Sequence, residues 1–377
     1  MKVPKVDLVV CGRFHYHKFL HILYQKGALN KFIYSYKLNY NLGVPPAYLK
    51  NLFLKEYLMY FGAKFLKGPK FFKYVAFLHK IWQIQASALQ STPNLVHFLI
   101  HGNSDMIVRK YKQIGIPIIG EVVNAHPVIQ EQILIREYDT HGAKYEPGEK
   151  SFKEKILREF ELCDFLLAPS SYIKRSLIDG GIKPEKIKVL PYGTEAVSLR
   201  KSAVKISEGD LIKLICVSQL TYRKGTIYLL KAVESLIQQG YACELTLVGK
   251  LDPSYAAVVS EYLSKPYIKH ISHIANNLIH QTMIEQDLLV MPSLEDGFGI
   301  VVSEAISVHL PVVVTKNCGS AEIIQDGVNG WVVEPFSEPE LIEGIKKSIG
   351  YQFDFSAKVP DWDDYASGLL KIYSEIA

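Results

Sequence analysis

The chain has 377 residues, of which 48% are hydrophobic and 21% are charged, and its formal net charge is +5. This balance is typical of a globular chain long enough for two domains, it excludes a disordered protein, and the small charge gives no reason to expect nucleic acid binding. The five cysteines show neither metal-ligand spacing nor a dense disulfide pattern, which favours a reduced, cytoplasmic protein. No apolar run approaches the ~20 residues that a membrane span needs, so any membrane contact is expected to be peripheral.

Short apolar runs rich in β-branched residues alternate with helix-length segments along the whole chain. The predicted strands are residues 6–11, 96–100, 116–123, 165–168, 212–217, 244–248, 288–291 and 312–315. Because these runs are apolar without polar alternation, they indicate strands buried on both faces of parallel sheets. We therefore predict an α/β fold with two doubly wound, Rossmann-like domains that face each other across a cleft.

The composition changes once, in a polar stretch near residues 194–210, where we place the linker between the domains. Ligands in doubly wound folds bind at the carboxyl ends of the strands, so the cleft is the expected site. Gly12, directly after the first strand, is expected to let the backbone approach a ligand closely. His15, His17 and His101, in strand-end loops, are weaker candidates for contacts to an acceptor. The last segment has apolar residues at helical spacing and is predicted to be a closing helix.

Residues 47–80 hold seven lysines and one glutamate among many Phe and Tyr residues. A basic, aromatic helix pair suits an anionic membrane surface. The same pattern fits ordinary core helices whose lysines reach past the apolar surface to water. The sequence leaves both interpretations open.

The stretch LEDGFGIVVSEA, residues 294–305, places Asp296 before a Gly-Phe-Gly turn and Glu304 about one turn into a helix predicted over 300–309. A helix start presents unpaired N–H groups and a positive dipole end, which suits a pyrophosphate. Glu304 can then accept hydrogen bonds from a ribose diol, while Asp296 reaches hydroxyls at the other end of the ligand. A helix cap followed by a glutamate satisfied inside a core is the other interpretation, and the chemistry alone leaves both open.

Residues 292–335, PSLEDGFGIVVSEAISVHLPVVVTKNCGSAEIIQDGVNGWVVEP, closely resemble the donor-site segment of family 4 glycosyltransferases, retaining enzymes of the GT-B architecture. Their acid–x7–Glu signature reads Asp296 to Glu304 here. The family usually has Glu at the first place, so the shorter Asp296 alters that contact or shifts it to the neighbouring Glu295. The resemblance implies an acceptor-side domain over 1–195, a nucleotide-sugar domain over 196–355, and a helix over 356–377 that packs back on the first domain.

Two further segments are similar to the same family. Residues 217–236 resemble the strand, loop and helix that carry a lysine on the donor phosphates, and Lys224 stands at that position. Many relatives have an arginine where this chain has Gln219, so Arg223 is expected to supply the second cation. Residues 115–138 resemble the segment that carries an active-site histidine, which here is His126, expected to face the cleft.

The resemblance implies transfer of a sugar, with retention, from a UDP- or GDP-linked donor to a glycan or lipid-linked acceptor in cell-surface polysaccharide or glycolipid synthesis. It places Asp296 on the sugar hydroxyls, His126 near the reacting sugar and Glu304 on the ribose. The phosphates are expected to contact Lys224, Arg223 and the backbone of Gly297, Phe298, Gly299, Ile300 and Val301. Neither a cofactor nor a metal is expected, because cations and a helix terminus can neutralise a diphosphate.

Three other interpretations remain. A dehydrogenase would need G-x-G-x-x-G after a strand, and no such motif follows the predicted strands. A sugar-nucleotide epimerase or a glycogen-type phosphorylase could share the architecture; the phosphorylase would need a lysine that holds pyridoxal phosphate, which the sequence does not exclude. A degenerate transferase, kept as a nucleotide-sugar-binding or scaffold partner, fits Asp296 and Gln219, whereas Lys224 and Glu304 argue against it.

Overall fold

The computed structural model describes residues 3–36, 41–146, 150–195, 197–201, 206–207 and 209–377. Its first parallel sheet has the strand order β3-β2-β1-β4-β5-β6-β7. The strands are β1 Val6–Val10, β2 Leu29–Tyr34, β3 Leu49–Asn51, β4 Leu95–Leu99, β5 Ile118–Glu121, β6 Phe165–Ala168 and β7 Ile187–Val189. The helices between them are α1 Tyr16–Gln25, α2 Leu54–Phe65, α3 Gly68–Ala88, α4 Asp105–Gln113, α5 Pro127–Thr140, α6 Lys150–Leu162 and α7 Ser171–Asp179.

The second parallel sheet has the order β10-β9-β8-β11-β12-β13. Its strands are β8 Ile212–Val217, β9 Cys243–Val248, β10 Ile268–Ile271, β11 Leu288–Met291, β12 Val312–Thr315 and β13 Gly330–Val333. The remaining helices are α8 Thr226–Gln238, α9 Ala256–Leu263, α10 Ile279–Ile284, α11 Ile300–Ser307, α12 Glu338–Ser348 and α13 Trp362–Ile376. Two doubly wound domains are therefore present, as predicted. Of the predicted linker over 194–210, residues 196, 202–205 and 208 lie outside the described residues.

The predicted strands are those whose residues are buried on both faces, as β1, β4 and β11 are throughout. The strands that the prediction omitted are β2, β3, β7, β10 and β13, and all of them except β13 carry polar residues. Four of these five lie at the edges of the two sheets, where one side has no strand partner and polar side chains are tolerated.

Helix α13 returns to the first domain and packs against α1, as the resemblance implied. Asp361 starts it with a capping box, in which its carboxylate accepts from the Asp364 N–H. Its inner face reaches the fully buried Glu121 at the end of β5, whose carboxylate accepts from the Tyr365 hydroxyl at 3.1 Å. The Tyr373 hydroxyl lies 2.6 Å from Nδ1 of His97 on β4. The last helix therefore belongs to the first domain's core.

Among the described residues, we find no helix that is both long enough and apolar enough to cross a membrane.

Candidate functional site

The Gly-Phe-Gly turn joins β11 to α11 at the boundary between the two domains. Gly297 packs against the Val123 carbonyl oxygen of the first domain, and a Cβ at this position would overlap that oxygen. The Ser170 hydroxyl also donates to the Gly297 carbonyl at 2.9 Å. Gly299 has φ +74°, a left-handed conformation that favours glycine. The turn therefore needs both glycines, one for close approach between domains and one for backbone conformation.

Phe298, which lies between these glycines in the sequence, makes an apolar contact with the first domain. Its buried ring meets the Tyr192 ring edge-on at 5.5 Å and belongs to the core of the first domain. Its N–H donates to the Asp296 carboxylate. Within the turn, Phe298 thus acts in domain packing and in fixing Asp296.

Lys224 and Asp296 form an ion pair at the head of α11. Lys224 ends a short 3₁₀ turn, Tyr222–Lys224, which follows β8 and is closed by Gly225 at φ +59°. Burial raises the pKa of Asp296, but the charges of Lys224 and Arg223 outweigh it, so this pKa lies below its ordinary value. Asp296 is therefore a carboxylate at neutral pH and can only accept hydrogen bonds.

Glu295, the neighbouring acid, forms hydrogen bonds that join the two domains. It is fully buried and accepts from the Ala125 N–H at 2.8 Å and from the Gln130 amide at 2.9 Å, both across the domain boundary. The Arg223 guanidinium donates to it at 2.9 Å. Of the two acids that the sequence left open, Glu295 clamps the domains together, whereas Asp296 lies beside Lys224. Arg223, expected on the phosphates, is held by Glu295 in this arrangement.

Glu304 lines a cavity of about 300 Å³ between the two domains. The other residues around it are Arg13, Phe14, His15, His17, Lys18, Thr194, Glu195, Asn276, Ile300 and Trp362. Burial raises the pKa of Glu304, and the negative charge of Glu195 adds to this effect, while Lys18 opposes it. Glu304 faces a space that a ligand can enter, so it is not a glutamate satisfied by packing inside a core.

Arg13 and Lys18 bring positive charge to this cavity from the first domain, and neither is among the predicted site residues. Lys18 forms an ion pair with Glu195, and the Arg13 guanidinium lies 5.7 Å from the centre of the Tyr36 ring. The signal was available in the sequence, because Arg13 directly follows Gly12 at the end of the first strand. Gly12 itself has φ +115°, open space where a Cβ would lie, and an N–H that donates to Ser35 Oγ at 2.7 Å.

His126 does not face the cleft as expected. It is the N-cap of α5, it is buried, and its ring packs against Phe160 with centres 5.6 Å apart. The ring also occupies the space beside Gly180, where a Cβ would overlap it. Burial lowers its pKa, and the charge of Lys153 lowers it further. The strand-end position was predicted correctly, but the Pro127 that follows starts a helix and turns the imidazole into the domain interior. Its contact with the reacting sugar stays a prediction.

No group of three or more His, Cys, Asp or Glu side chains within the described ranges has the arrangement needed to hold a metal ion.

Residues 200–352 match the family model described as "Glycosyl transferases group 1". Among curated proteins, the chain is 27% identical over 207 residues to an uncharacterized glycosyltransferase of Methanocaldococcus jannaschii, covering 54% of this chain and 52% of that protein. It is 29% identical over 212 residues to the lipopolysaccharide glucosyltransferase WaaG of Escherichia coli, covering 55% of each. The chain thus spans about half the length of the curated relatives that it matches.

Solved structures match nearly the whole chain at low sequence identity. Sucrose-phosphate synthase from Thermosynechococcus elongatus superimposes with a TM-score of 0.68 at 13% identity, covering 98% of this chain and 99% of that one. Anabaena HepE in complex with UDP-glucose gives 0.60 at 17% identity, covering 97% and 95%. These matches show the fold, two facing doubly wound domains of the GT-B type, and the family model covers the domain that carries Lys224, Asp296 and Glu304. Residues 200–352, which hold most of the second domain, are therefore similar to the group 1 glycosyltransferases.

Proposed function

We propose that this chain transfers a sugar, with retention, from a nucleoside diphosphate, UDP or GDP, to a hydroxyl of a glycan or lipid-linked acceptor, as a family 4 enzyme. One observation carries the proposal: Lys224 and Asp296 meet at the head of α11, and Glu304 on the same helix faces a cavity. Relatives named in amylovoran, capsular polysaccharide and lipopolysaccharide synthesis support a cell-surface glycan or glycolipid as the product.

The proposed sugar transfer requires a site that stabilises negative charge. As the acceptor oxygen bonds to the anomeric carbon, the bond from that carbon to the diphosphate breaks and charge grows on the leaving phosphate. In the proposed mechanism that phosphate takes the proton of the incoming hydroxyl on the same face of the sugar. Lys224 and the first N–H groups of α11 supply fixed positive charge where it is needed. No metal is required in this scheme.

The two acids of the motif then hold opposite ends of the donor. Asp296 is ionised and partly exposed, so it can accept hydrogen bonds from sugar hydroxyls while remaining paired with Lys224. Glu304 lies about one turn into α11 and faces the cavity, where it can accept from both hydroxyls of a ribose. Arg223 can add a second cation to the phosphates only when it releases Glu295, which links donor binding to the clamp between the domains.

Hydrolysis of UDP-, GDP- and ADP-sugars by the purified chain is the test. We expect one sugar nucleotide to be hydrolysed slowly without acceptor, and Lys224→Met to lose this activity. Lys316→Met, which removes an exposed lysine paired with Glu334, is the matched control and should keep it. Binding of a sugar nucleotide with no turnover, under any acceptor condition, would favour the degenerate binding protein. No binding of any donor contradicts the proposal.

We also propose that the chain sits at the inner face of a membrane through the hairpin of α2 and α3. These helices pack against each other and leave an aromatic surface in water. Its exposed residues are Phe53, Leu54, Tyr57, Tyr60, Phe61, Phe65, Phe72 and Phe77. Phe65 is 81% exposed, and the Lys64 ammonium lies 4.5 Å from the centre of the Tyr60 ring. Exposed aromatic rings interleaved with lysines fit an anionic lipid surface better than a protein core.

Flotation with vesicles of phosphatidylcholine and phosphatidylglycerol at physiological salt tests this surface. The wild-type chain should float, and the variant Phe65→Ser combined with Tyr60→Ser should float less. Leu278→Ser, at an exposed apolar residue of the second domain, is the matched control. Equal flotation of all variants, or none by the wild type, contradicts the proposed surface.

A further inference from the structure

A second, larger cavity of about 530 Å³ lies in the first domain, at the carboxyl ends of β4 and β5. Its walls are mostly apolar, with Val122, Ala125, Ile156, Leu157 and Phe160 among them. Its volume lies within the range of sites that enclose small-molecule ligands. The donor scheme above leaves this cavity unused.

The cavity shares a wall with the donor-side turn. The segment 122–125 lines it, and the opposite side of that segment meets the second domain. There the Val123 carbonyl packs on Gly297, and the Ala125 N–H donates to Glu295, the neighbour of Asp296. An occupant of the cavity is therefore separated from the proposed sugar position by one stretch of backbone.

The chemistry of the walls selects the occupant. A glycan seated among Ile156, Leu157 and Phe160 would leave hydroxyl groups without hydrogen-bond partners, which is costly. A hydrocarbon chain has no such groups and gains from leaving water. The polar residues of the cavity, which include Asn124, Gln130 and Lys153, can then meet the head group.

The cavity is also close to the proposed membrane surface. Helix α3 of the hairpin packs on α4, and α4 packs on α6, the helix that forms one wall. The His101 ring at the cavity contacts the Phe152 ring of α6 at 5.6 Å.

We infer that this cavity holds the hydrocarbon chain of a lipid-linked acceptor, next to the hydroxyl that receives the sugar. This inference rests on the proposed transferase function, because it names the acceptor class for that reaction. The acceptor is then a lipid-linked molecule and not a free glycan. Its hydrocarbon chain contacts α6 and the segment 122–125.

A series of alkyl glucosides from methyl to decyl, kept below micelle-forming concentrations, tests the inference by calorimetry on the full chain. Binding should tighten about threefold to fourfold per methylene until the cavity is full, and then level off. Leu157→Trp, which fills the cavity, should shorten the chain length at which binding levels off, and Leu157→Ala should lengthen it. Ile178→Trp, at an exposed residue of α7, is the matched control and should behave as the wild type.

The outcomes separate the two proposals. The lipid assignment is overturned if methyl and decyl glucoside bind equally, or if neither Leu157 variant changes the chain length at which affinity levels off. UDP or GDP binding would still support the transferase in either case. Loss of chain-length dependence in Phe65→Ser with the cavity intact also overturns it, because the alkyl chains would then be binding the hairpin. Absence of nucleotide binding by the wild type contradicts the proposed function instead.

Discussion

The ion pair between Lys224 and Asp296 allows a structural role to be separated from a catalytic one. Both side chains are largely buried, with 11% and 15% of their surfaces exposed. Removing one partner of such a pair leaves an uncompensated charge and costs about 3 kcal/mol of folding free energy, at the lower end of the range because Arg223 also neutralises Asp296. Lys224→Met and Asp296→Asn should each be less stable than the wild type, and the double variant should recover part of that loss because neither charge remains.

Catalysis should follow a different pattern. Lys224→Met removes the cation that we propose for the leaving diphosphate. We expect this to cost about 2–4 kcal/mol of transition-state stabilisation, roughly thirtyfold to a thousandfold in turnover. Asp296→Asn removes the proposed contact to the sugar and should also be slow. Because the two roles are distinct, the double variant should be no faster than the slower single variant, although it is more stable than Lys224→Met.

Chemical denaturation and donor turnover, measured on the four proteins of this cycle, provide the comparison. Turnover that recovers in the double variant together with stability would mean that the pair acts only by holding the loop in place. Unchanged turnover in Lys224→Met would remove this lysine from the scheme.

Three further perturbations probe the same cleft. Glu304→Gln should weaken UDP or GDP binding about tenfold to a hundredfold in calorimetry, because a charged hydrogen-bond acceptor is lost. The variant should not lower the melting temperature, because burial already disfavours the charged form of Glu304. Equal affinity in the two proteins would contradict the proposed contact between Glu304 and the ribose. Burial lowers the pKa of His15 from 6.5 to about 4, so between these pH values the unfolded chain binds a proton that the folded chain does not. The free energy of unfolding therefore falls as the pH falls from 6.5 to 4. In denaturation curves, His15→Gln should lose about 3 kcal/mol less than the wild type over this interval. A parallel pH dependence in both proteins would refute a neutral, partly buried imidazole. Gly297→Ala should reduce turnover about a hundredfold, because the added methyl group overlaps the Val123 carbonyl and displaces the domains. The free energy of unfolding of each domain should stay near that of the wild type. Full turnover would show that this close approach is dispensable.

The sequence predicted the parts of the fold that depend on local pattern. Strands such as β6, β8, β11 and β12 match their predicted ranges, because continuous apolar runs have few other solutions in an α/β protein. The helix at the acidic motif begins at Ile300 as predicted and ends two residues earlier, at Ser307. The edge strands β3 and β10 were missed, since their polar residues carry no such pattern.

At the site, the sequence identified residue types but not the pairing among them. That Asp296 pairs with Lys224 while Glu295 pairs with Arg223 depends on how a loop after β8 meets a loop after β11, far apart along the chain. The orientation of His126 depends on Phe160 and Gly180, which reach it only in the folded domain. The contribution of Arg13 and Lys18 likewise depends on closure of the first domain over Glu304.

The proposed function depends on a diphosphate that Lys224 and the head of α11 bind together. Calorimetric titration of UDP and UMP, and of GDP and GMP, onto the wild type and Lys224→Met tests it most directly. We expect one diphosphate to bind the wild type more tightly than its monophosphate, and Lys224→Met to remove this difference. The same preference for the diphosphate in both proteins, or no preference in the wild type, would contradict it.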